Sequence, residues 1–405
     1  MPGQSSKLYL FLSLLILLVI TLLVGEYRLL QHISDIESEL DSKLERLTWL
    51  ANHHERYRVM RVVPPEAREV LYPAHKTFVR GVDTPEEFQH ELSRNLRVWM
   101  GLDEDLLKRD VEIQVIEREK VDSVGVIREK IEISFRGNER WLLRGFFSYP
   151  AEFNGKLPGV LCLNGHRGKA TAVVGIEEDY TNGYGLALAK AGCKVLSFDW
   201  CFEGESTLVD DVGKVYSGHD SLAAYTARTG HSGLALYMEN AYCAFKALKG
   251  DPMVDKERIG VTGISRGGEL TTYFAALFAP ELAAYYSSGA GFPFVYRRFG
   301  GGCECTFIEK IFDNYEFSDL MAAAAPMPAA LQLGVQDGIW GYWDNIKQIM
   351  LTIKPIYEEL GAAESFSLDI HPAKHVYDVG QAIRFFKSHL IEGQKSLRTM
   401  RRRNK

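Results

Sequence analysis

From residue 159 onward the chain alternates short apolar runs with helical stretches. The runs are GVLCLNG (159–165), KVLSFDW (194–200), RIGVTGI (258–264), AAYYSSG (283–289), AALQLGV (329–335) and SFSLDIH (365–371). Between them GYGLALAKAG, LALYMENAYCAFKALKG, GELTTYFAALFA, NIKQIMLTIKPIYEELG and GQAIRFFKSHL repeat apolar residues at helical spacing. Strands that are apolar on both faces must be covered on both, and a helix between successive strands makes them parallel. The pattern therefore predicts an α/β fold, a mostly parallel central sheet with helices on both faces. Ahead of it, VEIQVIE, VIREKIEISF and WLLRGFFSYP alternate apolar and polar residues and predict half-buried strands. Residues 84–108 predict an amphipathic helical piece.

Within this alternation, GVTGISRGGEL (260–270) stands at a strand-to-helix junction. Ser265 lies between Gly263 and Gly267, with an apolar β-branched run before it and a helical pattern after it. Such a turn presents a hydroxyl at the top of the sheet, and the helix N-terminus directs partial positive charge toward it. The bland alternative is a turn serine that caps the helix. A hydroxyl needs a base to attack, and the base needs an orienting acid. In a fold of this kind they follow in the order serine, acid, histidine. Asp337 follows the run 329–335 and precedes Gly338, which suits the acid. DIHPAKHVYDVG offers His371 and His375. His371 is at the strand edge before Pro372, whereas His375 is further into the loop, so His375 is the expected base and His371 a structural residue. The anionic intermediate needs N–H donors. The backbone of Arg266 and that of His166, in LCLNGHRG, are the expected pair, with Arg167 as the alternative for the second. The Arg266 side chain either adds positive charge or forms a salt bridge.

Other features set limits. The chain has 405 residues, a net charge of −6 and 25% charged residues, so it carries no basic face suited to nucleic acid. RTMRRRNK (398–405) is its one basic cluster. LYLFLSLLILLVITLLV (8–24) has no charged residue and would span about 26 Å as a helix, near the minimum for a hydrocarbon core. VGEYRLL contains no small-residue cleavage site, which favours an uncleaved single-pass transmembrane helix over a signal peptide. The flanking charges favour an extracytoplasmic catalytic domain. Leu29, Ile33, Ile36, Leu40, Leu44 and Leu47 then form a heptad-like seam, predicting a helical stalk that packs on its own domain or self-associates. Pro64-Pro65 ends it. The expected organisation is an anchor (1–25), a stalk (26–63), an N-terminal helix and antiparallel strand extension (64–150), a catalytic core (151–393) and a basic tail (394–405).

The six cysteines suggest no framework. Cys193 and Cys201 flank one strand and are too far apart to bond. Cys162 and Cys243 read as a strand and a helix-core residue. Cys303 and Cys305 offer too few ligands for zinc, and no histidine pair has matching spacing, so no metal is expected. Trp340, Tyr342 and Trp343, close behind Asp337, form either a stacking wall or core. Asp199 and Ser206 in FDWCFEGES are expected to brace a loop. Residues 206–232 lack periodicity and are expected, with GFPFVYRRFGGGCECTF, to be long loops at a pocket mouth.

These residues resemble the α/β-hydrolase superfamily, and within it the acetyl xylan esterase and dienelactone-hydrolase-like esterase branch. The similar stretches are NGHRGKATAVVGI (164–176), FDWCFEGES (198–206), DPMVDKERIGVTGISRGGE (251–269), APMPAALQLGVQD (325–337) and HPAKHVYD (371–378), and the likeness runs over about 84–392. The resemblance implies a serine esterase with Ser265, Asp337 and His375 as triad, backbone donors at His166 and Arg266, and no cofactor. Asn164 stands where many relatives have histidine. Arg266 stands where many have a small or apolar residue, although glucuronoyl esterases also place arginine there, which opens acidic or sugar esters as substrates. The expected function is a membrane-anchored hydrolase of small-molecule or carbohydrate esters. A peptidase or amidase on the same fold is the first alternative, and the short piece before residue 150 counts against oligopeptide substrates. A catalytically inactive, tethered binding module is the second.

Overall fold

Thr84 opens the described chain as a helix cap. Its hydroxyl accepts the Glu87 N–H at 3.3 Å, Pro85 fills the first turn, and Gly101, at φ 73°, ends helix α1 (Pro85–Met100). Phe88, Leu92, Leu96 and Met100 recur every fourth residue and form its buried stripe. The computed structural model describes residues 84–137, 141–166, 168–209, 215–291, 294, 303–338 and 353–392. The chain divides into two compact units, Met1–Pro64 and Pro65–Lys405, and all described residues belong to the second.

Short helix α2 (Glu104–Lys108) leads into three antiparallel strands, β1 (Val111–Val121), β2 (Val126–Phe135) and β3 (Leu143–Pro150). Then come β4 (Leu157–Leu163), α3 (Ala170–Val173), α4 (Tyr184–Lys190) and β5 (Lys194–Phe198). Hairpin β6 (Leu208–Val209) and β7 (Val215–Tyr216) precedes α5 (Gly218–Thr229) and α6 (Gly233–Gly250). The rest runs β8 (Val254–Ile264), α7 (Arg266–Phe278), β9 (Ala284–Ser288), α8 (Glu309–Asn314), α9 (Phe317–Ala323), β10 (Ala329–Gly334), α10 (Lys354–Glu359), β11 (Phe366–His371) and α11 (Val379–Phe386).

Nine of these strands form one sheet in the order β1-β2-β3-β5-β4-β8-β9-β10-β11. From β5 to β11 neighbouring strands are parallel, and β3 joins β5 antiparallel. All residues of β4, β5 and β9 are buried, as expected of strands covered on both faces. α7 is buried along its whole length. From β4 the chain steps to β5 on one side and later to β8 on the other. Ligands of such sheets bind at this switch point, beyond the strands' carboxyl ends.

Two expectations change. β1 was expected to be half-buried, but it is the outer strand, and Glu112 to Lys120 are exposed on both faces. It pairs only with β2, and a register shift between Val115 and Glu117 breaks its alternation, leaving Ile113, Val115 and Ile116 in solvent. The segment 206–232 is not a continuous loop but holds the β6–β7 hairpin and α5. Helix α5 buries only Leu222, so its sequence shows no apolar stripe. Of the helix expected over 345–361, the described part is α10.

Among the described residues no helix is long and apolar enough to cross a membrane. The expected anchor (8–24), the stalk (26–63) and the basic tail (394–405) lie outside the described residues, as do Arg167, Trp340, Tyr342 and Trp343.

Candidate active site

Ser265 sits between β8 and α7 at φ 61° and ψ −126°. Only two other described non-glycine residues, Asn182 and Phe202, have positive φ. A non-glycine residue in this region is strained by roughly 1–3 kcal/mol and persists only when its surroundings enforce it. Here the chain is fixed on both sides. The Ser265 N–H donates to the Ser288 carbonyl at 3.0 Å, and its carbonyl accepts the Glu269 N–H at 2.9 Å. The flanking glycines are steric requirements. A Cβ at Gly263 would lie 2.5 Å from the Gly267 and Leu163 backbone, and one at Gly267 would strike the Leu163 carbonyl. The sharp turn therefore depends on glycine at both flanking positions.

Asp337 follows β10 and is buried. His375 lies in the loop after β11, four residues past His371. Its Nδ1 is 2.6 Å from Asp337 Oδ2. Its other nitrogen, Nε2, is buried and has no hydrogen-bond partner among the described residues. The ring stacks on Tyr180 with centroids 5.8 Å apart. It also passes Gly289, where a Cβ would come within 2.9 Å of His375 Cε1. His371 is buried in β11, and burial pushes its pKa down. His371 thus stays in the strand, as expected for a structural residue.

Ser265 and His375 line one cavity of about 1110 Å³, together with His166, Tyr180, Glu203 and His219. His166 follows β4, and its carbonyl accepts the Tyr180 hydroxyl at 3.1 Å. Gly165 keeps this loop against the serine, since an added Cβ would lie 3.0 Å from Ser265 Cβ and collide with Tyr180 Oη. Arg266 is the first residue of α7, where the backbone N–H has no intrahelical acceptor.

The Arg266 side chain does not reach the surface. Its guanidinium is fully buried and bidentate on Glu203, at 2.5 and 2.6 Å. It also donates to Tyr237 Oη and to the Gly165 carbonyl, each at 3.0 Å, and lies over the Tyr237 ring. Of the two expected roles the salt bridge is the one present; it ties the serine elbow to the loop after β5, and the bond to the Gly165 carbonyl ties it to the β4 loop. Asp199 and Ser206 brace loops, as expected. Asp199 accepts the Ala170 and Glu205 N–H groups at 2.8 Å, and Ser206 Oγ accepts the Arg144 N–H at 2.8 Å. Burial raises Asp199 to about 6.

The two close cysteines do not stand alone in the fold. His166, His219, Cys303 and Cys305 bring four possible metal-ligand atoms within 4.8 Å of one another beside this cavity. Cys303 and Cys305 alone are too few, but the two histidines arrive from the β4 loop and from α5, far away in the chain. Hydrogen bonding from Cys305, with a smaller contribution from His166, holds the Cys303 thiol down at about 3 and Cys305 correspondingly up. All six cysteines are free thiols, and Cys162, Cys193, Cys201 and Cys243 are buried. Glu203, Tyr180 and His219 were not anticipated at the site. Glu203 had one visible signal, a carboxylate in the loop directly after an apolar strand.

No protein-family profile matches the chain, and no curated protein is detectably similar to it. Solved structures are. A candidate acetyl xylan esterase from Bacteroides fragilis superposes with a TM-score of 0.61 at 19% identity, covering 76% of this chain and 83% of that one. A methylesterase gives 0.58 at 20% identity, covering 76% of this chain and 64% of its own. A glucuronoyl esterase from Solibacter usitatus gives 0.56 at 15% identity, covering 78% and 97%. The fold shared with these proteins is the α/β-hydrolase fold.

Proposed function

We propose that the chain is a serine hydrolase that cleaves carboxylic esters. The observation that carries this reading is the Asp337–His375 hydrogen bond, which leaves His375 Nε2 buried and unpartnered in the cavity that Ser265 also lines. In the proposed cycle Ser265 Oγ attacks the ester carbonyl while Nε2 takes its proton. Asp337 keeps the Nδ1–H tautomer and stabilises the imidazolium. The Arg266 and His166 backbone N–H groups receive the oxyanion, each such donor being worth roughly 10²–10³ in rate. The leaving alcohol takes the proton from His375. Water then enters, gives a proton to Nε2 and attacks the acyl carbonyl, releasing the acid and restoring Ser265.

The names of the structural neighbours support an acylated or methyl-esterified carbohydrate as substrate. The cavity, at about 1110 Å³, is slightly larger than the roughly 300–1,000 Å³ usual for small-ligand sites and suits a sugar-bearing ester. The proposal includes anchoring through residues 8–24, with the hydrolase domain on the extracytoplasmic side, and allows self-association of the 26–63 stalk.

An ester panel on the purified chain tests it. p-Nitrophenyl acetate, acetylated xylan oligosaccharides and methyl glucuronate esters are compared with aminoacyl anilides. Ester turnover with little anilide turnover is expected. Preference for the anilides would favour a peptidase, and no turnover of any substrate by folded protein would favour a binding module.

A further inference from the structure

The four-residue cluster at the cavity mouth is built like a coordination sphere. His166 Nε2 is 3.4 Å from Cys305 Sγ, and His219 Nδ1 is 3.3 Å from Cys303 Sγ. Around a tetrahedral ion with bonds of about 2.3 Å to sulfur and 2.0–2.1 Å to nitrogen, sulfur and nitrogen ligands stand about 3.5 Å apart. The two measured spacings therefore lie within a few tenths of an ångström of ligand geometry.

The surroundings are those of a metal ligand set. The second nitrogen of His219, Nε2, faces the Glu203 carboxylate at 3.9 Å, and a carboxylate behind the non-coordinating nitrogen is the usual device for orienting a ligand histidine. The Cys305 N–H points at Cys303 Sγ at 3.4 Å, as backbone donors do toward metal-bound thiolates. The His166 and His219 rings meet edge to face, with centroids 5.2 Å apart. The fold also has use for a tie here. Helix α5 contributes one buried residue, Leu222, and is otherwise held by Tyr225 against Trp141 and Phe202.

We propose that His166, His219, Cys303 and Cys305 bind one divalent metal ion, with Zn²⁺ the best match to two thiolates and two imidazoles. Four protein ligands close the sphere, so the ion ties three segments together: the β4 loop, the start of α5 and the turn at 303–306. It reaches the proposed reaction only through His166, whose backbone carries a proposed oxyanion donor. The binding claim itself does not depend on the esterase reading.

The test is a Co²⁺ titration of the full chain, reduced and stripped with a chelator. One equivalent should produce thiolate-to-cobalt charge-transfer absorption and intense tetrahedral ligand-field bands, and one equivalent of Zn²⁺ should bleach both. Cys303→Ser and Cys305→Ser should each weaken the charge-transfer band, and the double substitution should remove it. Wild-type protein that takes up no cobalt, or takes it up without thiolate absorption, overturns the proposal whether or not the variants fold. So does an unchanged spectrum in a folded double variant.

Discussion

Asp337 Oδ2 and His375 Nδ1 are 2.6 Å apart across 38 residues of chain. The contact fixes which ring nitrogen carries the proton and which faces the cavity. Asp337→Asn would keep the shape but favour the wrong tautomer. A fall in kcat of about 10⁴ is expected, with KM changed far less. Steady-state kinetics on a p-nitrophenyl ester check it, and a fall below tenfold would speak against His375 as the base.

The strained serine sets activity against stability. Ser265→Gly should abolish ester turnover yet leave the protein as stable or up to about 2 kcal/mol more stable. Relief of roughly 1–3 kcal/mol at φ 61° exceeds the roughly 0.5–1 kcal/mol that glycine's freedom costs in the unfolded chain. Urea unfolding reads this directly, and a loss above about 1 kcal/mol would mean that the elbow stores no strain.

The contrast between what could and could not be read lies in sequence distance. Ser265, Asp337 and His375 each stand past an apolar run, so periodicity and chain order nominate them as candidates. The parallel strands were legible because their runs are short, mostly apolar and separated by helical stretches. The edge position of β1 was not, since alternation cannot tell a strand buried on one face from one exposed on both. Helix α5 was hidden because it buries only Leu222. The cysteine–histidine cluster was missed because its nitrogen–sulfur contacts span 139 and 84 residues. Short-range ligand spacing holds no trace of a site assembled from three distant segments.

Arg266 and Glu203 form a pair with one member fully buried. Glu203→Ala should cost about 3–5 kcal/mol, because it strands a guanidinium out of water. Replacing both, as Glu203→Leu with Arg266→Met, should cost less than Glu203→Ala alone. A double-mutant cycle by urea unfolding decides, and a single-variant loss near zero would mean that the guanidinium finds another partner.

His231 contacts Glu239 at 3.0 Å, and that hydrogen bond raises its pKa above the ordinary 6.5. The folded state therefore holds a proton that the unfolded chain gives up near pH 6.5. The stabilisation is complete below that pH and disappears as pH rises through the raised folded-state value. The Tm gap between wild type and His231→Ala should be widest near pH 6 and shrink toward pH 9. A gap that widens with pH would contradict the pairing.

The central claim is that Ser265 is an activated nucleophile. Labelling the folded chain with a fluorophosphonate and locating the adduct by peptide mass spectrometry tests it most directly. The adduct should map to Ser265, be lost in Ser265→Ala together with a roughly 10⁶-fold fall in kcat, and form far more slowly in His375→Ala. Folded, ester-cleaving protein that carries no adduct at Ser265 and keeps most of its activity in Ser265→Ala would contradict the account.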